Sequence, residues 1–414
     1  MSTCVPKTKL MSPKTQINRS SETRIGLEMK ISGITVSFVK TPRSALGHET
    51  VTTVAGTTHI RLGDYAHIDS TQCEAAIVEI RTDQGLSGWG ECQSPIGPEV
   101  IGTIIERVLG PLILGRDPLA SAVLRSEMYD ALRVRGQITG YVVDAIAGLD
   151  TALWDLRGRH HNMSIARLAG GPYRTELPAY VSGLHKDRRV PEAAEWAEAG
   201  FGVKAGLRGL GAEDIAEMAQ IRSAVGDATP LYIDGMWRCS NMDVVRVARQ
   251  LEDVQAGFFE APMDPEDVGG HAELVRHVDV PIAIGEPLRT RYQFLPWFAQ
   301  RALSVAQPDL MRVGPTEAFA IAAMAEAFHV PVAFHSGMAT PIGMAATWQV
   351  AAGISNFLVQ EFQPHMREIF SPITVDPLKD QGGRLLVPDQ PGIGITINRK
   401  GLEALTEGSI DISA

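Results

Sequence analysis

Two kinds of hydrophobic pattern divide the chain. From Leu177 onward, short apolar runs recur in order: LPAYVSG, FGVKAG, PLYID, GFFE, PIAIG, LSVAQ, PVAFH and FLVQE. Each has the length and the β-branched or aromatic content of a buried strand. Stretches with helical spacing lie between them, at 191–199, 212–225, 242–251 and 316–329, with Gly200 and Gly226 placed as terminators. Strand and helix alternating at this pitch predict a parallel barrel. A doubly wound sheet is the competing architecture, but no GxGxxG follows a strand into a helix.

Upstream the pattern changes. MKISGITVSFV, from Met29, alternates as a strand, while EAAIVEIRT, the turn at Asp83-Gln84-Gly85 and LSGWGEC predict a hairpin. Residues 41–71 form a long polar, glycine-containing connection, expected to be a mobile loop and a candidate lid. Asp117-Pro118 is expected to open a helix through Leu132. Val142, Ala145, Ile146, Leu149, Ala152, Leu153 and Leu156 mark the buried stripe of a second helix. Residues 1–28 have neither period and are expected to be a disordered extension. Beyond Glu361 the pattern decays into a Pro- and Gly-rich tail that is expected to cross back to the first domain.

A charged or ionisable side chain stands at or beside the end of each of the last six runs: Asp234, Glu260, Glu286, Asp309, His335 and Glu361. The steps between them are 26, 26, 23, 26 and 26 residues. One βα unit takes about 25 to 30 residues, so the rhythm places one such group per unit. The carboxyl ends of barrel strands are where such folds hold their chemistry.

Asp234, Glu260 and Glu286 would close three consecutive strands, which lie about 4.8 Å apart, so their carboxylates can converge. Without a counter-ion each like-charge pair at ~4 Å costs roughly 4 kcal/mol at an effective dielectric near 20. A divalent cation relieves that cost, and all-oxygen donors favour Mg²⁺, with Mn²⁺ as a substitute, over Zn²⁺. Three unrelated surface acids are the alternative, and the regular spacing speaks against it. Asp309 and His335 would sit side by side, the carboxylate fixing the imidazole tautomer and raising its basicity, as a general base requires. A satisfied structural histidine is the alternative there. Lys204, on the second run, would face the site from the metal side, unless it is a surface lysine. Glu361 would donate a hydrogen bond if protonated, or hold a substrate hydroxyl. A cation beside a base suits removal of a proton next to a carboxylate, because the developing enediolate needs stabilising as it forms.

Composition narrows the partners. A chain of 414 residues exceeds the roughly 250 to 300 at which single cores stop growing, so a second domain accompanies the barrel. Lys and Arg number 38 against 48 Asp and Glu, a net charge of −10 without a basic block, which argues against nucleic acid and anionic membranes. Cys4, Cys73, Cys92 and Cys239 are scattered with no CxxC, which suits a reducing compartment and argues against a thiolate metal site. No run approaches the roughly 18 apolar residues of a membrane span, and the amino terminus lacks the apolar stretch of a signal peptide, so a cytoplasmic location is expected.

Together these residues resemble the enolase superfamily, in the branch of mandelate racemase and the acid-sugar dehydratases. The resemblance runs from Met29 to nearly the end. GLSGWGEC resembles the family's first-domain hairpin, and AIAGLDTALWDLRGR resembles its helix leading into the barrel. YID, FFEAP and AIGEP resemble the metal-bearing strand ends, which implies ligand roles for Asp234, Glu260 and Glu286. QPDLMRVGPTE followed by VAFH resembles the Asp–His dyad, which implies those roles for Asp309 and His335. PDQPGIGITIN resembles the closing segment. The implied fold is α/β: a (β/α)7β TIM-like barrel over 161–365 with an α+β capping domain over 29–160, and 366–414 returning to the cap. Cap loops such as 41–71 would set selectivity, and Arg43, His48 and Arg61 there are candidates for a distal carboxylate or hydroxyls, solvated loop residues being the alternative. The implied assembly is a homo-oligomer.

Two departures matter. Members with a second base carry Lys-x-Lys on the second barrel strand, where this chain has Lys204-Ala205-Gly206, and some dehydratases carry a histidine where this chain has Met236. A glycine cannot move a proton, so His335 is left as the obvious proton carrier. Racemisation usually needs a base on each face of the α-carbon, whereas β-elimination of water needs one. The expected activity is Mg²⁺-dependent dehydration of an aldonate or aldarate to a 2-keto-3-deoxy acid, with His335 as base and acid, Asp309 orienting it, and Lys204 and Glu361 contacting the carboxylate or enediolate. The alternatives are a racemase, epimerase or cycloisomerase on the same scaffold, or a non-catalytic metal- or ligand-binding member.

Overall fold

The alternating runs near the amino terminus form one sheet. In the computed structural model, which describes residues 29–43, 52–53, 59–61, 68–185 and 187–413, strands β1 (Ile31–Pro42), β2 (Gln72–Thr82) and β3 (Ser87–Cys92) run antiparallel. Gly85 closes the β2–β3 turn at φ 78°, a conformation that a Cβ would strain. Ile34, Val36, Val78 and Ile80 on one face of the sheet pack against helices α1 (Ser121–Arg133) and α2 (Tyr141–His161) through Leu124, Ile146, Leu149 and Leu153. The last strand, β11 (Thr406–Ser413), returns to the outer side of β1, pairing Ser413 with Gly33.

Three expectations need correcting or bounding here. Asp117 accepts the Leu119 amide at 2.9 Å and α1 begins at Ser121, so Asp117-Pro118 makes a turn ahead of the helix rather than its cap. The cause is local: a short carboxylate reaches the amide two residues on and closes an Asx turn. The connection 41–71 contains paired strands, Thr52–Thr53, His59–Arg61 and Asp69–Ser70, and Arg43 turns back to the Ser70 carbonyl at 3.2 Å. The rest of that segment, His48 included, the side chain of Arg61, and the extension expected at 1–28 lie outside the described residues.

The second half closes a ring of parallel strands in chain order: β4 (Glu176–Val181), β5 (Gly202–Gly206), β6 (Leu231–Asp234), β7 (Phe259–Glu260), β8 (Ile282–Ile284) and β9 (Val305–Ala306). The seventh run makes isolated bridges only, Val332 to Ala306 and Phe357, and His335 to Asp309. Strand β10 (Gln360–Phe362) then pairs with β4 and completes the circuit. Helix α3 (Leu310–Ala327) starts six residues ahead of the expected 316, capped by Asp309 and kinked where Gly314 takes φ 73° before Pro315. Among the described residues no helix is long and apolar enough to cross a membrane.

Buried carboxylates tie the first sheet and α2 to the barrel side. Arg289 grips Asp144 at 2.7 and 3.1 Å, and Asp150 accepts from the Thr316 amide at 2.8 Å. Glu91, on β3, accepts from the Thr340 and Gly343 amides at 3.0 and 2.8 Å. Asp155 takes the amides of Trp89 and Ile393 and the Arg159 guanidinium, at 2.9, 2.8 and 2.8 Å. Truncating it strands two amides and a partly buried cation. Asp155→Ala is therefore expected to lower unfolding free energy by about 3 to 5 kcal/mol, read from urea denaturation. An unchanged midpoint would refute that role.

Candidate active site

Inside the ring, Tyr180, Tyr232, Phe258, Ala283, Val305, Ala333 and Val359 pack together as an apolar storey. Successive strand side chains point to opposite faces, so the residue two further on points inward again, nearer the carboxyl ends. Asp234, Glu260, Gln307, His335 and Glu361 each stand two residues past a member of that storey. The strand period thus builds a polar storey directly above an apolar one.

Lys204 is its hub. Its ammonium lies 2.8 and 2.9 Å from the two Glu260 oxygens, 2.9 Å from Glu361 and 3.6 Å from Asp234, and the residue is buried. The Met236 amide fixes Asp234 from behind at 2.8 Å, and the Ser336 amide does the same for Glu361 at 2.9 Å. Burial pushes the Asp234 and Glu260 carboxyls up, the pull of Lys204 opposes it, and repulsion from neighbouring acids adds to it. Glu361 goes the other way: burial would raise it, but Lys204 and His335 hold it down at about 2. Glu361 is therefore an acceptor in this site, not the protonated donor that was one of the two expected options.

The imidazole faces this cluster. His335 Nδ1 is 2.8 Å from Asp309 Oδ2, while Nε2 lies 3.8 Å from Glu361 and 4.0 Å from Glu286. Burial would lower its pKa, but Glu286, Glu361 and Asp309 together lift it to about 10. Gly337 leaves the ring its room, since a Cβ there would sit 2.8 Å from His335 Cε1.

Of the three acids expected to meet at one point, Glu286 is held differently from Asp234 and Glu260. It stands three residues past Ala283, out of the inward alternation, and pairs with Arg312 at 3.4 Å instead of Lys204. Among the described residues no three Asp, Glu, His or Cys groups are drawn together as metal ligands. The charge count and donor chemistry nevertheless fit a cation. Five carboxylates, those of Asp234, Glu260, Glu286, Asp309 and Glu361, face Lys204, Arg312 and His335, so two negative charges stay uncompensated even with the imidazole protonated. A divalent ion taking oxygen ligands from Asp234, Glu260 and Glu286 matches both the deficit and the hardness of the donors.

Residues 189–401 match the family described as enolase C-terminal domain-like, and residues 49–170 match the mandelate racemase / muconate lactonizing enzyme N-terminal domain. The chain belongs to the enolase superfamily. Within its mandelate racemase and acid-sugar dehydratase branch, the chain is 34% identical to a D-galactarolactone cycloisomerase of Agrobacterium fabrum over 80% of this chain and 90% of that one. It is 30% identical to an arabinonate dehydratase of Saccharolobus solfataricus, over 78% and 88% of the two chains. The fold is that of an enolase-superfamily member from Agrobacterium tumefaciens, with TM-score 0.85 at 27% identity over 90% and 98% of the two chains. The 3,6-anhydro-D-galactonate cycloisomerase of Zobellia galactanivorans superimposes with TM-score 0.79 at 27% identity, over 92% and 100%.

For this enolase-superfamily chain, attention to strand ends alone missed Gln307 and Arg312. Counting inward positions from Val305 would have found Gln307. Nothing in the linear pattern marks Arg312, whose guanidinium reaches the site from helix α3.

Proposed function

We propose that the chain is an acid-sugar dehydratase that removes the α-proton of an aldonate or aldarate and expels the β-hydroxyl as water, leaving a 2-keto-3-deoxy acid. The observation that carries this is the proton-carrying dyad, His335 with Asp309, facing the Lys204 cluster while among the described residues the position across from it, Gly206, carries no such group. There a Cβ on Gly206 would meet Met236 at 3.7 Å and the Asp234 carbonyl at 3.9 Å, ordinary contacts, so among the described residues the second-base position has room for a side chain and holds no proton carrier.

In this reading a cation held by the neighbouring acids would offset the negative charge that lifts His335, leaving the ring neutral, so that Nε2 takes the α-proton while Asp309 keeps Nδ1 protonated and the ring oriented. Lys204 places positive charge against the carboxylate as it becomes an enediolate. Glu361, an acceptor, holds a substrate hydroxyl. His335 then returns its proton to the departing hydroxyl: the C–H and C–O bonds break, a C=C bond forms, and the enol tautomerises to the ketone. A divalent cation held by Asp234, Glu260 and Glu286, Mg²⁺ with Mn²⁺ as substitute, supplies neutralisation of the substrate carboxylate.

A second reading, cycloisomerisation of a sugar lactone, is favoured by the 34% identical relative. The same proton abstraction would then expel a ring oxygen. Incubation with Mg²⁺ and a panel of aldonates, aldarates and their lactones in D₂O separates the outcomes. Formation of 2-keto acid with loss of water, abolished by chelation, is expected. A lactone opened to a keto acid with no loss of water, its mass changed only by deuterium taken up at C3, assigns the cycloisomerase, and deuterium at the α-carbon of an otherwise unchanged hydroxy acid assigns an epimerase. No conversion of any panel member sinks the proposal.

A further inference from the structure

Gln307 has no task in the mechanism above, yet it lies at the centre of the site. Its side chain is buried, and Nε2 donates to Glu260 Oε2 at 2.9 Å, alongside the two contacts from Lys204. A carboxylate held by an ammonium on both oxygens is an acceptor, so the amide must present its NH₂ there, and this settles which way it is flipped. The other end, Oε1, is then a buried acceptor with no partner among the described residues. Such groups are rare in native proteins and call for a missing donor. The neighbouring strand cannot supply one: Gly285, two residues past Ala283, has no side chain, and a Cβ there would come within 2.3 Å of the Gln307 backbone. In ring order Gln307 stands between Glu260 and His335, the two groups that would flank the reacting carbons.

We infer that Gln307 does two things: its amide N–H holds Glu260 in place for the cation, and its carbonyl accepts a hydrogen bond from a hydroxyl of the bound polyhydroxy acid. It is a specificity-determining residue. The second half rests on the functional reading above; the first does not.

The test is binding, measured on full-length protein. A His335→Asn background keeps the acid intact, and calorimetry is run with Mg²⁺ alone and then with an aldonate that binds the Mg²⁺-loaded parent and its single-deoxy analogues. Gln307→Leu is expected to weaken Mg²⁺ binding by about 10- to 100-fold, the range typical of groups that orient a metal ligand. At saturating Mg²⁺ it should weaken the aldonate by a further ~10-fold or more, but make no difference for one deoxy analogue, the one lacking the hydroxyl that Gln307 accepts. Unchanged Mg²⁺ affinity overturns the Glu260 half. An equal loss for every analogue, or none for the parent aldonate, overturns the acceptor half. If no sugar acid binds the parent protein, the functional reading falls and the acceptor half with it, while the Mg²⁺ titration still decides the Glu260 half. Gln307→Met, matched in length, repeats the test should the leucine variant fail to fold.

Discussion

His335→Asn is expected to reduce turnover of the sugar acid by about 10²- to 10⁴-fold, the range that a positioned general acid–base supplies. The asparagine is close in size and keeps an amide for Asp309, so packing survives, but an amide exchanges no proton near neutral pH. The 2.8 Å contact between Asp309 and Nδ1 leaves Nε2 as the reactive nitrogen, and position 206 is glycine and position 236 methionine, so neither can take its place. Mg²⁺ affinity should change little, since of the three carboxylates proposed to hold the cation His335 comes within 4.0 Å only of Glu286. Single-turnover assays with the substrate found by the panel give the readout. Near-parental rates would remove His335 from the chemistry.

Lys204→Met is the second large effect, and it separates into two. The ammonium contacts Glu260, Glu361 and Asp234 within 3.6 Å, and all three acids belong to one buried or nearly buried cluster. Without it they are left with each other, so the metal-free protein is expected to lose about 3 to 5 kcal/mol of stability, the usual consequence of breaking a buried ion pair from one side. Mg²⁺ should restore part of that loss. Because a ligand that binds only the folded state stabilises it by an amount that grows with the logarithm of its affinity, and removing the ammonium frees the carboxylates for the ion, the melting temperature should rise more on adding Mg²⁺ to the variant than to the parent. Turnover should stay low even when stability returns, since Lys204 also faces the reacting carboxylate. Equal metal-free stability of variant and parent would contradict the hub role.

The two variants address different parts of one arrangement. His335 stands on the dyad side with Asp309 and Arg312, whereas Lys204 stands on the side of Asp234, Glu260 and Glu361. Glu361 couples them, reaching Lys204 at 2.9 Å and His335 at 3.8 Å. A chelator experiment therefore reports on both sides, and only the substitutions separate them.

The linear order of residues by itself determined the strand–helix alternation, the end of each apolar run, and hence that Lys204, Asp234, Glu260, Asp309, His335 and Glu361 would share one rim. That information is local: a two-residue strand period and a repeat of about 26 residues are visible without any knowledge of what packs against what. The Asp–His contact was legible for the same reason, because consecutive strands of a parallel ring are neighbours. Tertiary structure alone decided the rest. Glu286 matched the rhythm as well as Glu260 did, yet it falls outside the inward alternation and pairs with Arg312, a side chain delivered from a helix. Glu361 could have been read as donor or acceptor until Lys204 and the Ser336 amide appeared beside it. Counting places Gln307 on the inward face, but as a neutral residue it gave no sign of a task until its amide met Glu260 and its carbonyl met no donor among the described residues. Which storey a side chain occupies follows from sequence period, but which partner it finds there depends on ring closure, and so on distances between residues far apart in the chain.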